Sequence, residues 1–226
     1  MRVTLPVGSG KCGKAACMNL DAAREVVSVA ATLSSGRMNI GTSGNVSSRH
    51  GSGAFIITPS GVPALEIAPA DCVLMDLSGA ILSGASPSTE WRMHRAIYAS
   101  HRRINGVVHC HSTRATAVAC GGQGLPAFHY QVAAAGGNDV PCVPYARFGT
   151  EELAVGAAAA LTTRDACLLA NHGLVTVGVN LKRALELAVE VEWLCEVFLN
   201  AGRLSTIPAD EMTAVAAAYA AYRERR

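Results

Sequence analysis

The sequence predicts an α/β fold in one domain. Three observations carry this prediction. Helical periodicities alternate with short β-type runs along the chain, no interior linker or internal repeat breaks the alternation, and half of the 226 residues are hydrophobic, enough for a sizeable core.

Residues 1–17 hold few large apolar side chains and are expected to form a flexible N-terminal tail ahead of one domain at 18–226. Residues 8–14 have the spacing of a phosphate-binding loop, but Ala15 stands where Ser or Thr would hold magnesium, so the tail reading is preferred. Asp21 is placed to cap a helix running to about Arg37, with Val26, Val29, Ala30 and Leu33 on its apolar face and Gly36 near its end. Thr42, Ser43, Gly44 and Asn45 make a polar loop. Strands at 46–49 and 54–58 flank a glycine turn, and a second polar loop follows at Thr58, Pro59, Ser60 and Gly61. Residues 72–77 and 80–83 read as a hairpin. Ser88, Thr89 and Glu90 open a helix that continues through His101.

Residues 106–111 read as a strand, with Val107, His109 and His111 on one face and Val108 and Cys110 on the other. A helix is expected at 113–120. Residues 125–138 show no clear period, although three alanines and two glycines at 133–137 imply close backbone packing. Thr150 caps a helix to Leu161. Buried strands at 166–171 and 174–178 flank His172 and Gly173, Asn180 caps a helix at 181–200, and the last helix covers 210–223.

Composition excludes several classes. A formal net charge of +2 is too small for an electrostatic nucleic-acid binder, and Arg223, Arg225 and Arg226 read as a solvated end. The longest uncharged stretch, between Arg114 and Asp139, contains His129, Gln131, Asn138 and Pro126, which disfavour a membrane span. No apolar run follows Arg2 as in a signal peptide, and eight scattered cysteines without a C-x-x-C pair fit reduced thiols in the cytoplasm. Charged residues make up only 16% of the chain, which points to surface hidden in a homo-oligomer.

His109 and His111 are the strongest chemical signal. Two histidines at i and i+2 on a strand put both imidazoles on one face, close enough to share an ion. His172, at a sharp turn beside Gly173, is the natural third ligand, and three histidines leave a coordination position open. Glu90 is the candidate acid/base, and its apolar neighbour Trp91 suggests a raised pKa. His50, His94 and His101 read as solvated, and His129 is ambiguous. The glycine- and hydroxyl-rich segments at 42–45, 58–61 and 88–89 are suited to cradle an anion through backbone N–H groups.

These pieces occur in one order: GTSGNVSSR, ITPSG, PSTEWRMH, VVHCHS, AAAGGN, YARFGT and NHGL. From about residue 18 to its end the chain resembles the class II aldolase/adducin family. The resemblance implies an α/β/α three-layer fold around a mixed sheet, and a homotetramer with active sites between subunits. It implies Zn2+ (or Mn2+, Co2+ or Fe2+) held by His109, His111 and His172, with Glu90 transferring protons and touching the metal. It places Gly44, Asn45, Ser60, Gly61, Ser88 and Thr89 at the phosphate, Phe148 at the aldehyde pocket, and Tyr130 and Tyr222 near the reacting groups. Thr89 stands where the family has serine, and Tyr219 where an aromatic without a hydroxyl is usual.

The implied reaction is retro-aldol cleavage of a ketose 1-phosphate to dihydroxyacetone phosphate and an aldehyde. The substrate would be L-fuculose 1-phosphate or a 5-deoxypentulose 1-phosphate such as 5-methylthioribulose 1-phosphate, the latter a salvage reaction. Related readings are a pentulose-phosphate 4-epimerase, which typically carries Asp in place of Glu90, and a methylthioribulose-1-phosphate dehydratase with the same metal set. A non-catalytic adducin-like module would not need the histidines.

Overall fold

The computed structural model describes residues 18–224, with side chains as far as residue 221. The expected tail at 1–17, its loop-like residues 8–14, and Arg225 and Arg226 lie outside the described residues.

Helix α1 (Leu20–Ser35) begins two residues earlier than its pattern suggested. The cap is Asn19, whose side chain accepts from the Asp21 and Ala22 amides, so Asp21 falls in the first turn and pairs with Arg24. Strands β1 (Asn45–His50) and β2 (Ala54–Ile57) form a hairpin, as do β3 (Val73–Asp76) and β4 (Ile81–Ser83). Helix α2 (Trp91–Ser100) leads to β5 (Gly106–Cys110), and α3 (Thr113–Cys120) follows directly. The unassigned stretch forms a 3-10 helix, Tyr130–Ala135, before the short β6 (Cys142–Val143). Helix α4 (Glu151–Ala160), strands β7 (Ala166–Leu169) and β8 (Gly173–Gly178), and helices α5 (Leu181–Asn200) and α6 (Ala209–Glu224) complete the described chain. Thr150 and Asn180 cap α4 and α5 as expected.

The strands join in one eight-stranded sheet of order β4-β3-β2-β1-β5-β8-β7-β6. The sheet is mixed: β6 runs parallel to β7, and the other neighbouring pairs are antiparallel. Strand alternation divides the core between its faces. Val46, Ile56, Leu74, Val108 and Leu174 pack with α1, α3 and α5, while Phe55, Ile57, Val107, Val175 and Val177 pack with α2 and α4. The result is the three-layer α/β/α arrangement. β5 lies in mid-sheet with both faces covered, so all five of its residues are buried. A histidine on this strand is therefore removed from water unless it faces a cavity.

Candidate active site

Three features of the chain bring the ligand candidates together. His109 is on β5, and His111 follows the strand's last residue. β8 lies beside β5 with Leu174 opposite Cys110, so the β7–β8 turn arrives next to His111. His172 sits in that turn, behind Asn171, whose φ of +55° is the left-handed conformation that asparagine tolerates. Gly173 permits the close approach, since a Cβ there would lie 2.6 Å from the Cys110 carbonyl oxygen and 2.9 Å from His111 Cδ2. Glu90 enters from the other helical layer. It occupies the position before α2 itself rather than the first turn, and its side chain makes no capping bond.

One donor atom from each of Glu90, His109, His111 and His172 lies within 4.8 Å of the others. His109 Nδ1–H donates to the Leu174 carbonyl at 3.0 Å, which leaves the lone pair of its Nε2 facing inward. That Nε2 lies 3.0 Å from Glu90 Oε2 and 3.0 Å from His111 Nε2. His172 Nε2 is 3.4 Å from Glu90 Oε1, a buried oxygen without a hydrogen-bond partner among the described residues. Lone pairs facing one another at these distances need a cation between them, which a proton on His109 or a metal ion supplies. Three imidazoles and a carboxylate suit a divalent metal, and these four residues could hold one.

Electrostatics agree. Burial and the nearby His109 charge push His111 down to about 3 and His172 down to about 4, so both offer neutral nitrogens near neutral pH. Burial works against His109 protonation, but Glu90 outweighs it and raises that pKa. The raised Glu90 pKa expected from its apolar neighbour is not found. Burial does oppose its ionisation, yet His109, His172 and the Asn45 amide together hold its carboxyl below the usual range.

The site opens into a cavity of about 440 Å³. Gly44, Asn45, Ser60, Gly61, Ser88 and Thr89 line it together with Glu90, His111, His172 and Phe148, and among the described residues no Lys or Arg does. Two of its loops are zipped together: the Ser60 amide donates to the Ser86 carbonyl, and the Ser88 amide to the Thr58 carbonyl. Among the described residues, no partner takes the backbone N–H of Gly44, Gly61 or Thr89. The Asn45 side chain is engaged with Glu90 and His94. Tyr130 is half exposed and is not part of this lining, and its ring lies 6.4 Å from that of Tyr219 on α6. The Tyr222 side chain lies outside the described residues.

Other positions differ from expectation or were missed. His94 is fully buried instead of solvated, because α2 turns it inward beside Met93, Ile97 and Tyr98. Burial pushes its pKa down to about 3. His101 bonds to the Ala158 carbonyl, and His129 accepts from the Gln131 amide beside Trp193. Asn39, unnoticed in the sequence, accepts from the His111 amide at 3.0 Å. Tyr145 also lines the cavity, and the only local hint of it is its nearness to Phe148.

Comparison with known proteins gives the same reading. A 5-methylthioribulose-1-phosphate/5-deoxyribulose-1-phosphate aldolase of Rhodospirillum rubrum is 44% identical over 206 residues, 90% of either chain. An L-fuculose phosphate aldolase of Escherichia coli is 45% identical over 178 residues, 79% of this chain and 82% of that one. A solved structure of an L-fuculose 1-phosphate aldolase matches with a TM-score of 0.86 at 37% identity, covering 92% of this chain and 99% of that one. Residues 24–199 match the family described as Class II Aldolase and Adducin N-terminal domain, and with fold, ligand set and relatives in agreement the chain belongs to the class II aldolase and adducin family.

Proposed function

We propose that this protein is an aldehyde-lyase that cleaves a ketose 1-phosphate to dihydroxyacetone phosphate and an aldehyde. The observation that carries the reading is the cavity itself. One wall is a four-residue metal site, and the other is built from glycine and hydroxyl turns without a cationic side chain among the described residues. Such a cavity suits a phosphorylated polyol whose phosphate is held by neutral donors and whose oxygens reach a Lewis acid.

His109, His111, His172 and Glu90 would hold Zn2+, or Mn2+, Co2+ or Fe2+ in its place. Bound there, such an ion would supply Lewis-acid polarisation of the ketose carbonyl and stabilisation of the negative charge left when the C3–C4 bond breaks. Gly44, Asn45, Ser60, Gly61, Ser88 and Thr89 bind the phosphate, with Asn45 contributing through its backbone. Glu90, a carboxylate at rest, takes up a proton from water in the cavity and delivers it to C3 of the three-carbon product, using the oxygen that has no hydrogen-bond partner among the described residues. Phe148 shapes the space for the aldehyde half. The C4 hydroxyl proton is relayed to water through Tyr222 of the partner subunit in a homotetramer, and Tyr130 serves the same region. The aromatic patch of Tyr130, His129 and Trp193, with Tyr130 and Trp193 exposed, supports such an assembly. No described helix is long and apolar enough to cross a membrane, and the six described cysteines are free, which supports a cytoplasmic location for a domain spanning 18–226.

The test is a cleavage assay with L-fuculose 1-phosphate, L-rhamnulose 1-phosphate, D-ribulose 1-phosphate, 5-deoxyribulose 1-phosphate and 5-methylthioribulose 1-phosphate, with and without a chelator. The expected result is chelator-sensitive release of dihydroxyacetone phosphate from L-fuculose 1-phosphate or a 5-deoxypentulose 1-phosphate. Release from none, with loss of water or epimerisation instead, would overturn the aldolase reading in favour of the dehydratase or epimerase.

A further inference from the structure

Behind Glu90 runs a chain of hydrogen bonds whose direction is fixed at every step. Glu90 as a carboxylate only accepts, so the Asn45 atom 3.0 Å from its Oε2 is the amide nitrogen. Asn45 Oδ1 then faces His94 Nε2 at 2.5 Å, and this nitrogen must carry the proton. The bare Nδ1 of His94 accepts from the Ser47 hydroxyl at 2.6 Å. The Tyr98 hydroxyl closes the chain by donating to the Ser47 carbonyl at 2.8 Å. His94, Tyr98 and Ser47 are buried, so no solvent is available to replace a lost partner.

We propose that His94 is a positioning residue for the aldol reaction: its Nε2–H fixes the Asn45 amide so that the amide N–H holds Glu90 Oε2 against His109 and leaves Oε1 free to act. The proposal rests on the reading of Glu90 as metal ligand and proton carrier. If the Nε2–H were lost, the Asn45 amide would have no reason to keep its nitrogen toward Glu90. Turned over, it would set an oxygen against the carboxylate and drive it from its place. His94 touches neither substrate nor metal and acts only through Asn45.

His94→Gln and His94→Asn separate this role from simple packing. The glutamine nitrogen reaches the place of Nε2 and can still donate to Asn45, whereas asparagine ends near Nδ1 and reaches only Ser47. Three readouts apply: the histidine tautomer from long-range 1H–15N spectra of the wild type, the visible spectrum of the Co2+-loaded protein, and kcat and KM for the best substrate. His94 should be in its Nε2–H form. His94→Asn should lower kcat by about 10- to 100-fold with KM within about two-fold, and alter the Co2+ bands. His94→Gln should recover most of both.

If His94→Asn does not fold, Asn45→Ala deletes the link itself and should give the same kcat loss and Co2+ change. An Nδ1–H tautomer, an unchanged Co2+ spectrum in the variant lacking the link, or a folded His94→Gln no better than His94→Asn would overturn the proposal. A wild type that cleaves no ketose 1-phosphate would overturn the functional reading, while the tautomer and the Co2+ comparison would still decide this one.

Discussion

The two walls of the cavity are built by opposite means. The metal wall is made of buried or half-buried side chains on β5, the β7–β8 turn and the start of α2, with His109 held by the Leu174 carbonyl and Glu90 by the Asn45 amide. The wall proposed for the phosphate is made of turns, from buried Asn45 and Ser88 to exposed Gly61 and Thr89, whose donors belong to the backbone and to small hydroxyls. The contrast follows the charge each wall must face. A divalent ion needs lone pairs fixed to a fraction of an ångström by a dry, rigid shell. A phosphate is satisfied by several N–H dipoles that need only converge. Damage to the first wall should therefore show in turnover and metal content, and damage to the second in substrate affinity.

The largest effect is expected at His109, the fully buried ligand. His109→Ala should abolish tight metal binding, measured as metal per chain by atomic emission. The loss of several kcal/mol of charge stabilisation should slow cleavage on the order of 10³-fold or more. Glu90→Gln comes next. Three imidazoles remain, so the metal should stay bound, while turnover falls by about 10²- to 10⁴-fold because the proton carrier is gone. Near-normal rates in that variant would remove Glu90 from the chemistry.

The same contrast explains what was legible in the sequence. Side-chain chemistry at fixed spacing was legible: His109 and His111 by strand alternation, and His172 by its place beside Gly173. The caps Thr150 and Asn180 were legible because their bonds are local. The backbone wall was harder, since each glycine turn alone looks ordinary, and it was the family resemblance that assigned these residues to a phosphate. His94 was misread because its partners Asn45 and Ser47 come from β1, more than 45 residues away in sequence. A local signal did exist: Met93, His94, Ile97 and Tyr98 form one helical stripe, and a histidine on it is buried. Asn39 and Tyr145 sit in loops, where no periodicity marks them.

The two walls meet at Gly44, which gives the next prediction. Its φ is +75°, and a Cβ there would lie 2.3 Å from the amide of Asn39. Asn39 in turn holds the His111 amide. Gly44→Ala should therefore cost ~3 kcal/mol from left-handed strain and overpacking together. Unlike Gly61→Ala, it should also weaken metal binding, seen as faster loss of the ion to a chelator. A variant that raises KM alone would show the walls to be independent.

A smaller effect concerns protons. His94 in the folded chain is pushed down to about 3, by burial first and then by the His109 charge, with Glu90 opposing. In the unfolded chain it returns to the ordinary value of about 6.5. Below that pH the unfolded state binds the proton and the folded state does not. The stability contributed by neutral His94 is thus complete above pH ~6.5 and lost as pH falls toward ~3. Between pH 7 and pH 5 the wild type should lose ~2 kcal/mol more than His94→Gln, which does not titrate. Urea midpoints at the two pH values measure this, and parallel losses would mean that the metal wall is less sealed from protons than its packing implies.

Gly61 gives the smallest effect and isolates the phosphate wall. Its φ is +74°, but a Cβ there would meet nothing within 4 Å, so Gly61→Ala introduces backbone strain without a clash. The cost should be ~1 kcal/mol, a fall of roughly 2–4 °C in Tm for a chain of this size. The new methyl would stand beside an N–H expected to meet the phosphate. KM for the ketose 1-phosphate should therefore rise about ten-fold, equivalent to the ~1.4 kcal/mol of one lost hydrogen bond, with kcat and metal content unchanged. An unchanged KM would take Gly61 out of the phosphate site, and a fall in kcat would show that this loop helps to orient the reacting carbons as well as to hold the anion.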